Sequence, residues 1–233
     1  MKLIKSIEQE ERTISETYEY IAVGTNTINI PVDCNCDIIM IGGGGGGSTI
    51  SNNTIAAGGG GGSGAGFIGT VTLTAGTYTI TVGGGGWNNH GYSAGITAGP
   101  GGATTLVNNN TGTTIISAGG GAGGTCGDLV YSYGWGGAGG TIDTSNATIV
   151  SSTLNSNGNN GPVSSGSSVY PNIVYAQSLY NGYGQGGVCG AGSGPGSAGY
   201  FKITINTTII VDVTVTSAVK LEENTNVYYA ISY

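Results

Sequence analysis

The chain has 233 residues, of which 49 are glycine; charged residues make up 7% and the formal net charge is −7. The glycines come in runs and only 5 prolines accompany them, which excludes a collagen period. Five Lys and Arg in all provide no basic footprint for nucleic acid, and 38% hydrophobic residues are too many for a chain held disordered by its charge.

Charge divides the chain into three parts, read as an N-terminal attachment segment over 1–16, a glycine-rich body over 17–205 and a C-terminal strand segment over 206–233. The N-terminus turns acidic at Glu8 before an apolar leader could form, so no secretory signal is expected. No run approaches the ~18 apolar residues of a membrane helix, and no membrane span is expected. Leu3, Ile4 and Ile7 fit a helical face, but Glu8-Gln9-Glu10-Glu11 interrupts it, so this segment is ambiguous.

From Thr17 the apolar period shortens to two, which predicts strands at 17–23 and 27–32 joined by a turn at Gly24-Thr25-Asn26. A third strand, Asp37–Ile41, runs straight into Gly42–Gly47. After the next glycine block, Phe67–Leu73 and Thr77–Val82 read as a hairpin around Thr74-Ala75-Gly76. Further glycine blocks stand at 83–86, 99–102, 119–127, 134–140 and 182–199. The Ser- and Asn-rich stretch 145–180 reads as a long loop. From Tyr200 the pattern is strand again, with Phe201, Ile203 and Ile205 on one side, then Ile209, Val211, Val213 and Val215, and finally Val227, Tyr229 and Ile231.

Glycine blocks have two readings. As flexible linkers they would behave as random coil. If ordered, they must offset a backbone entropy cost of about 1–2 kcal/mol per residue without side chains to bury, so cohesion has to come from N–H and C=O groups pairing with each other. A threefold helix with ~3.1 Å rise and no internal hydrogen bonds points its amides outward. Several such helices side by side could bond into a lattice from which any Cβ is excluded. The expected fold class is therefore all-β with little or no α-helix, its strands flanking a bundle of polyglycine-II helices in place of a conventional apolar core. Gly44, Gly60, Gly85, Gly120, Gly137 and Gly187 are the structural positions expected inside the blocks.

A resemblance rests on Ile38-Ile39-Met40-Ile41-Gly42, Thr77–Gly86, Ile96–Gly102, Ala118–Gly124 and Gly199–Ile205. Over roughly 17–205 the chain resembles the glycine-rich domain of bacteriophage tail-fibre and adhesin proteins and similar structural proteins of giant DNA viruses. The resemblance implies polyglycine-II packing, inter-helix loops that bind host surfaces, and a place on the surface of a virion. The first 16 residues, the four cysteines and the strands after Ile205 lie outside that pattern.

Enzymatic motifs do not hold up. The glycine runs match GxGxxG trivially, but residues 38–127 contain no Asp, Glu, Lys or Arg, so neither the acidic partner of a dinucleotide fold nor a P-loop lysine is present. His90, the one histidine, sits in Asn88-Asn89-His90-Gly91, a turn sequence that gives no triad. A glycan hydrolase would need paired carboxylates from among Asp33, Asp37, Asp128 and Asp143. No catalytic residue, cofactor or metal is expected. Cys34 and Cys36 face one side of a strand and cannot comfortably pair with each other. Either of them could bridge to Cys126 or Cys189, or all four could be buried thiols. Trp87, Asn89, His90, Tyr92, Tyr131, Tyr133 and Trp135 interrupt the blocks and have two readings: they cap the bundle, or they stack on sugars. The expected function is a non-enzymatic structural protein of a virus particle, forming a homo-oligomer with other virion proteins as partners. The alternative is an adhesin that binds a host glycan or receptor.

Overall fold

The computed structural model of the chain describes residues 2–50, 58–91, 95–127, 133–165, 176–189, 193–219 and 229–232. It is all-β, and no helix occurs among these residues. The strands are β1 (Lys2–Tyr20), β2 (Gly24–Ile30), β3 (Cys34–Ile41), β4 (Ser48–Ile50), β5 (Gly66–Leu73), β6 (Gly76–Val82), β7 (Asn89–Gly91), β8 (Thr104–Asn108), β9 (Thr113–Ala118), β10 (Tyr133–Gly134), β11 (Ile142–Asp143), β12 (Thr148–Ser156), β13 (Ser164–Ser165), β14 (Tyr200–Val219) and β15 (Tyr229–Ser232). One sheet has the order β1-β14-β3-β5-β12 with β15 also on β14, and a second has the order β11-β9-β8-β6-β2. Contacts divide the chain into Glu16–Ile205 and a unit made of Met1–Ser15 with Asn206–Tyr233.

Within Glu16–Ile205 the two sheets enclose an apolar core. Cys36, Ile38, Met40, Phe67, Val71, Leu73, Phe201, Ile203 and Ile205 come from one sheet; Ile28, Ile30, Tyr78, Ile80, Val82, Leu106 and Ile116 come from the other. Alternation along each strand puts these residues inward. A conventional core thus stands beside the glycine blocks, contrary to the expectation that the blocks replace one. The buried side of β14 is the side predicted for Phe201, Ile203 and Ile205.

Several sequence expectations need correction. β5 and β6 are not a hairpin: β5 pairs with β3 and β6 with β2, so Thr74-Ala75 carries the chain from one sheet to the other. Inward-facing residues alternate in the same way whether two strands share a sheet or face one another, so period 2 alone cannot separate the cases. The crossing is tied by Ala75 N–H donating to Asp33 Oδ1 (2.7 Å). The stretch 145–180 contains β12, nine residues on the outer edge of β5, with register shifts at Ile149/Ser151 and Ser152/Leu154. Most of its side chains are exposed, so no apolar alternation marked it. The ambiguous N-terminus is strand β1, and the turn before β2 falls on Ala22-Val23, ahead of the predicted Gly24-Thr25-Asn26.

In the unit of Met1–Ser15 and Asn206–Tyr233, Ser15 Oγ donates to Asn206 Oδ1 (2.7 Å) and Thr207 Oγ1 to the Ile14 carbonyl (3.2 Å). β15 runs antiparallel to the end of β14, with Val219 opposite Tyr229.

Candidate functional site

The strands of the sandwich continue into glycine. β3 leads into 42–48 and 58–65 leads back to β5; β6 leads into 83–89 and 96–102 back to β8; β9 leads into 119–126 and 135–141 back to β11. The central 42–48 segment bonds to six neighbours with a period of three. Gly42, Gly45 and Ser48 donate to Ala65, Gly62 and Gly59; Gly43 and Gly46 donate to Gly102 and Gly99; Gly44 and Gly47 donate to Ser197 and Gly194. In return, the carbonyls of Gly43 and Gly46 accept from Gly121 and Gly124, those of Gly44 and Gly47 from Gly86 and Asn89, and that of Gly45 from Gly187. These bonds span 2.7–3.1 Å. The donors thus turn to three different neighbours in succession before repeating, whereas a sheet strand alternates between two and an α-helix bonds within itself.

Close backbone approach explains the glycine. A Cβ on Gly44, Gly85, Gly120 or Gly137 would run into the carbonyl oxygen of Gln185, Gly196, Gly101 or Ala122, respectively. At Gly187 the obstacle is the backbone of Gly194 and Gly47, and at Gly60 it is the ring of Pro162, with Cδ at 2.5 Å. At all of these but Gly60 the obstacle is main chain, which cannot rotate away, so those five positions accept no side chain.

The register also fixes where the aromatic residues lie. Asn89, Gly124 and Gly194 sit beside the far end of 42–48, away from β3. β4 pairs in parallel with β7 there, Thr49 opposite His90. Trp87 is 60% exposed, and its carbonyl accepts from Gly99 N–H. Its indole lies against Gly99, where a Cβ would strike Nε1. Trp135, 56% exposed, exchanges both backbone bonds with Thr125 (2.9 and 3.0 Å). Buried Ser193 organises the turn after Trp87: Asn88 Nδ2 donates to its carbonyl (3.0 Å), its Oγ donates to the Asn89 carbonyl (3.2 Å), and Oγ lies 3.3–3.4 Å from the His90 ring nitrogens. Trp87, Asn89, His90 and Trp135 are thus brought to the same end of the glycine segments. Tyr133 belongs to β10, paired with Ser165. Tyr92 and Tyr131 lie outside the described residues, as does Asp128.

Cys34 and Cys36 share one side of β3 with sulfurs 3.8 Å apart, Cys34 half-buried and Cys36 buried. Burial pushes the Cys36 thiol well up, with the neighbouring Cys34 adding to it. Cys126 and Cys189 are buried, and burial raises the Cys126 thiol too. No disulfide links cysteines among the described residues, and these residues contain no cluster of three or more metal-ligating side chains. At the opposite end, beside β14, Tyr200 stacks on Tyr183 (4.5 Å between centroids) and Tyr180 (5.4 Å). Burial and the Tyr200 hydroxyl's bond to Glu19 (2.7 Å) raise that phenol's pKa. Sequence reading missed this tyrosine stack, because Tyr180 and Tyr183 precede a glycine block whose path back to Tyr200 on β14 no residue pattern encodes.

Among the described residues no helix is long and apolar enough to cross a membrane. A comparison with curated proteins finds no match. The model of a family described as a glycine-rich domain matches residues 21–222. That span takes in β2 to β14 and every glycine segment described above, and the chain belongs to this glycine-rich domain family.

Proposed function

We propose that this chain is a non-enzymatic structural protein of a virus particle, a surface-fibre, tail-fibre or capsid-associated component whose body is a rigid bundle of polyglycine-II helices. The observation that carries the reading is the three-residue period with which 42–48 bonds to six neighbours. A polyglycine-II helix has three residues per turn and no internal hydrogen bonds, so its amides radiate to surrounding chains in this manner. Six residues at ~3.1 Å rise extend such a body by about 19 Å. A lattice of this kind resists local opening, because each segment is held from several sides and offers a protease no exposed extended backbone. The resemblance to tail-fibre and giant-virus proteins supplies the virion setting, and copies of the chain together with other virion proteins supply the partners. Electron micrographs of native assemblies test it: repeated copies in a fibre, shell layer or tip are expected, and a monomer absent from any particle would refute it.

A second reading, host-surface adhesion, is favoured by Trp87 and Trp135, two large exposed rings at one end of the bundle. Flat rings beside Asn and Ser suit the apolar face and hydroxyls of a sugar. Glycan-array binding that disappears in both Trp87→Ala and Trp135→Ala is the expected result. Binding unchanged in both variants would leave those rings as caps on the lattice.

A further inference from the structure

We infer that the tryptophan end of the glycine bundle binds an uncharged, unbranched oligosaccharide lying across four adjacent segments, and that it excludes acidic glycans. The site rests on the adhesion reading proposed above and gives it a ligand class. Backbone bonds fix the order of the segments. Gly99 N–H donates to the Trp87 carbonyl and Gly102 N–H to that of Gly84, which sets 96–102 beside 83–89. Ala98 N–H donates to the Gly124 carbonyl and Gly101 N–H to that of Gly121, which sets 119–126 beside 96–102. Ala122 N–H donates to the Ala138 carbonyl, and Thr125 and Trp135 exchange both bonds, which sets 135–141 beside 119–126. Trp87 therefore stands on the first segment and Trp135 on the fourth. Three spacings separate them, about 14 Å at the strand-like distance between bonded extended chains.

What lies between the rings is polar and uncharged. Thr125 is bridged antiparallel to Thr97 on one side and to Trp135 on the other. Residues directly opposite in such a pair point to the same side, so the two hydroxyls and the Trp135 indole share one surface. The hydroxyls meet at 2.9 Å; one donates to the other, which leaves a proton and free lone pairs for a ligand. Thr97 is exposed and Thr125 half-buried, so a sugar can reach them. The apolar face of a pyranose stacks on a flat exposed indole, and its hydroxyls exchange hydrogen bonds with the threonine pair. Segments 83–89, 96–102, 119–126 and 135–141 hold no Asp, Glu, Lys or Arg. A carboxylate or sulfate bound there would be desolvated without a cation to meet it, and the net charge of −7 opposes its approach. A neutral glycan meets neither cost. Its length follows from the spacing of the rings, because a disaccharide cannot reach both.

Trp87 and Trp135 are the two tryptophans of the chain, so indole fluorescence reports on this site alone. The test titrates the full chain with linear neutral hexasaccharides of glucose, of mannose and of N-acetylglucosamine and, in parallel, with hexagalacturonate, hexamannuronate and a heparan sulfate hexasaccharide. A saturable change with at least one neutral hexasaccharide is expected, visible from either ring when the other is replaced in Trp87→Phe or Trp135→Phe, and none with the acidic series. The disaccharide of the bound series should bind about tenfold more weakly. Thr125→Val, which keeps the β-branched shape and removes the hydroxyl, should weaken the hexasaccharide about fivefold. Acidic hexasaccharides that bind as tightly as neutral ones, or a neutral one that perturbs a single ring, would overturn the inference and leave adhesion standing. No change with any saccharide would overturn the adhesion reading along with it.

Discussion

Gly84 and Gly85 are adjacent in one glycine run, and the lattice predicts opposite outcomes when each is changed to alanine. At Gly84 a Cβ meets nothing nearer than the Val23 methyls at 3.6 Å, an ordinary contact. Gly84→Ala should therefore be neutral or stabilising by about 0.4–1 kcal/mol, through the lower entropy of the unfolded chain. At Gly85 the Cβ runs into the Gly196 carbonyl oxygen and comes within 2.9 Å of the Ser197 carbonyl carbon. Relief requires 83–86 to move away from 196–199, segments joined by Gly196 N–H to Gly86 O (2.9 Å) and Gly199 N–H to Gly83 O (2.8 Å). Each bond contributes about 1 kcal/mol net, and a buried group left unpaired costs about 1–3 kcal/mol more. Gly85→Ala should thus destabilise by about 2–5 kcal/mol, lowering the thermal midpoint by on the order of 10 °C for a chain of this size. Denaturant unfolding followed by tryptophan fluorescence reads both variants. Equal effects for the two, within about 0.5 kcal/mol, would show that glycine is not required by packing at Gly85.

The apolar core should be as indispensable as the lattice: Phe67→Ala, at a fully buried position, is expected to cost about 3–5 kcal/mol, measurable in the same denaturation experiment. In native protein an alkylating reagent should modify half-buried Cys34 well before buried Cys36 and Cys126; mass mapping that finds Cys36 labelled first would contradict the placement of β3. The Cys36, Cys126 and Tyr200 pKa values are all raised in the fold, burial being the largest cause. The unfolded chain therefore loses these protons first as pH rises. Stability should hold below the ordinary thiol value of 9.0 and the phenol value of 10.0 and decline above them; an unfolding midpoint that is flat from pH 8 to 11 would contradict this.

Strands with one buried side were legible because β-branched residues alternate along them, as at Asp37–Ile41 and Phe201–Ile205. β12 was not, since most of its side chains are exposed and leave no period to read. Sheet membership was also hidden: Val71, Leu73, Tyr78, Ile80 and Val82 point into one core from two sheets, which mimics a hairpin. Glycine carries a different ambiguity. Its abundance indicated close backbone approach, but with no side chain nothing in the run 42–47 encodes which neighbour each residue addresses; that information lies in the lengths of the connecting segments and in the strands that anchor them. The exposed tryptophans could be picked out because they interrupt glycine runs. The hydroxyls between them could not, since Thr97, Thr125 and Trp135 are aligned by segments that come together only in the fold.

Amide hydrogen exchange at Gly43 to Gly47 tests most directly whether backbone bonding holds the glycine segments together. Their N–H groups donate to Gly102, Ser197, Gly62, Gly99 and Gly194, so they should exchange as slowly as Ile38 and Met40 in the core of β3. Exchange of these glycines at the rate of an unstructured peptide, while β3 stays protected, would contradict the lattice.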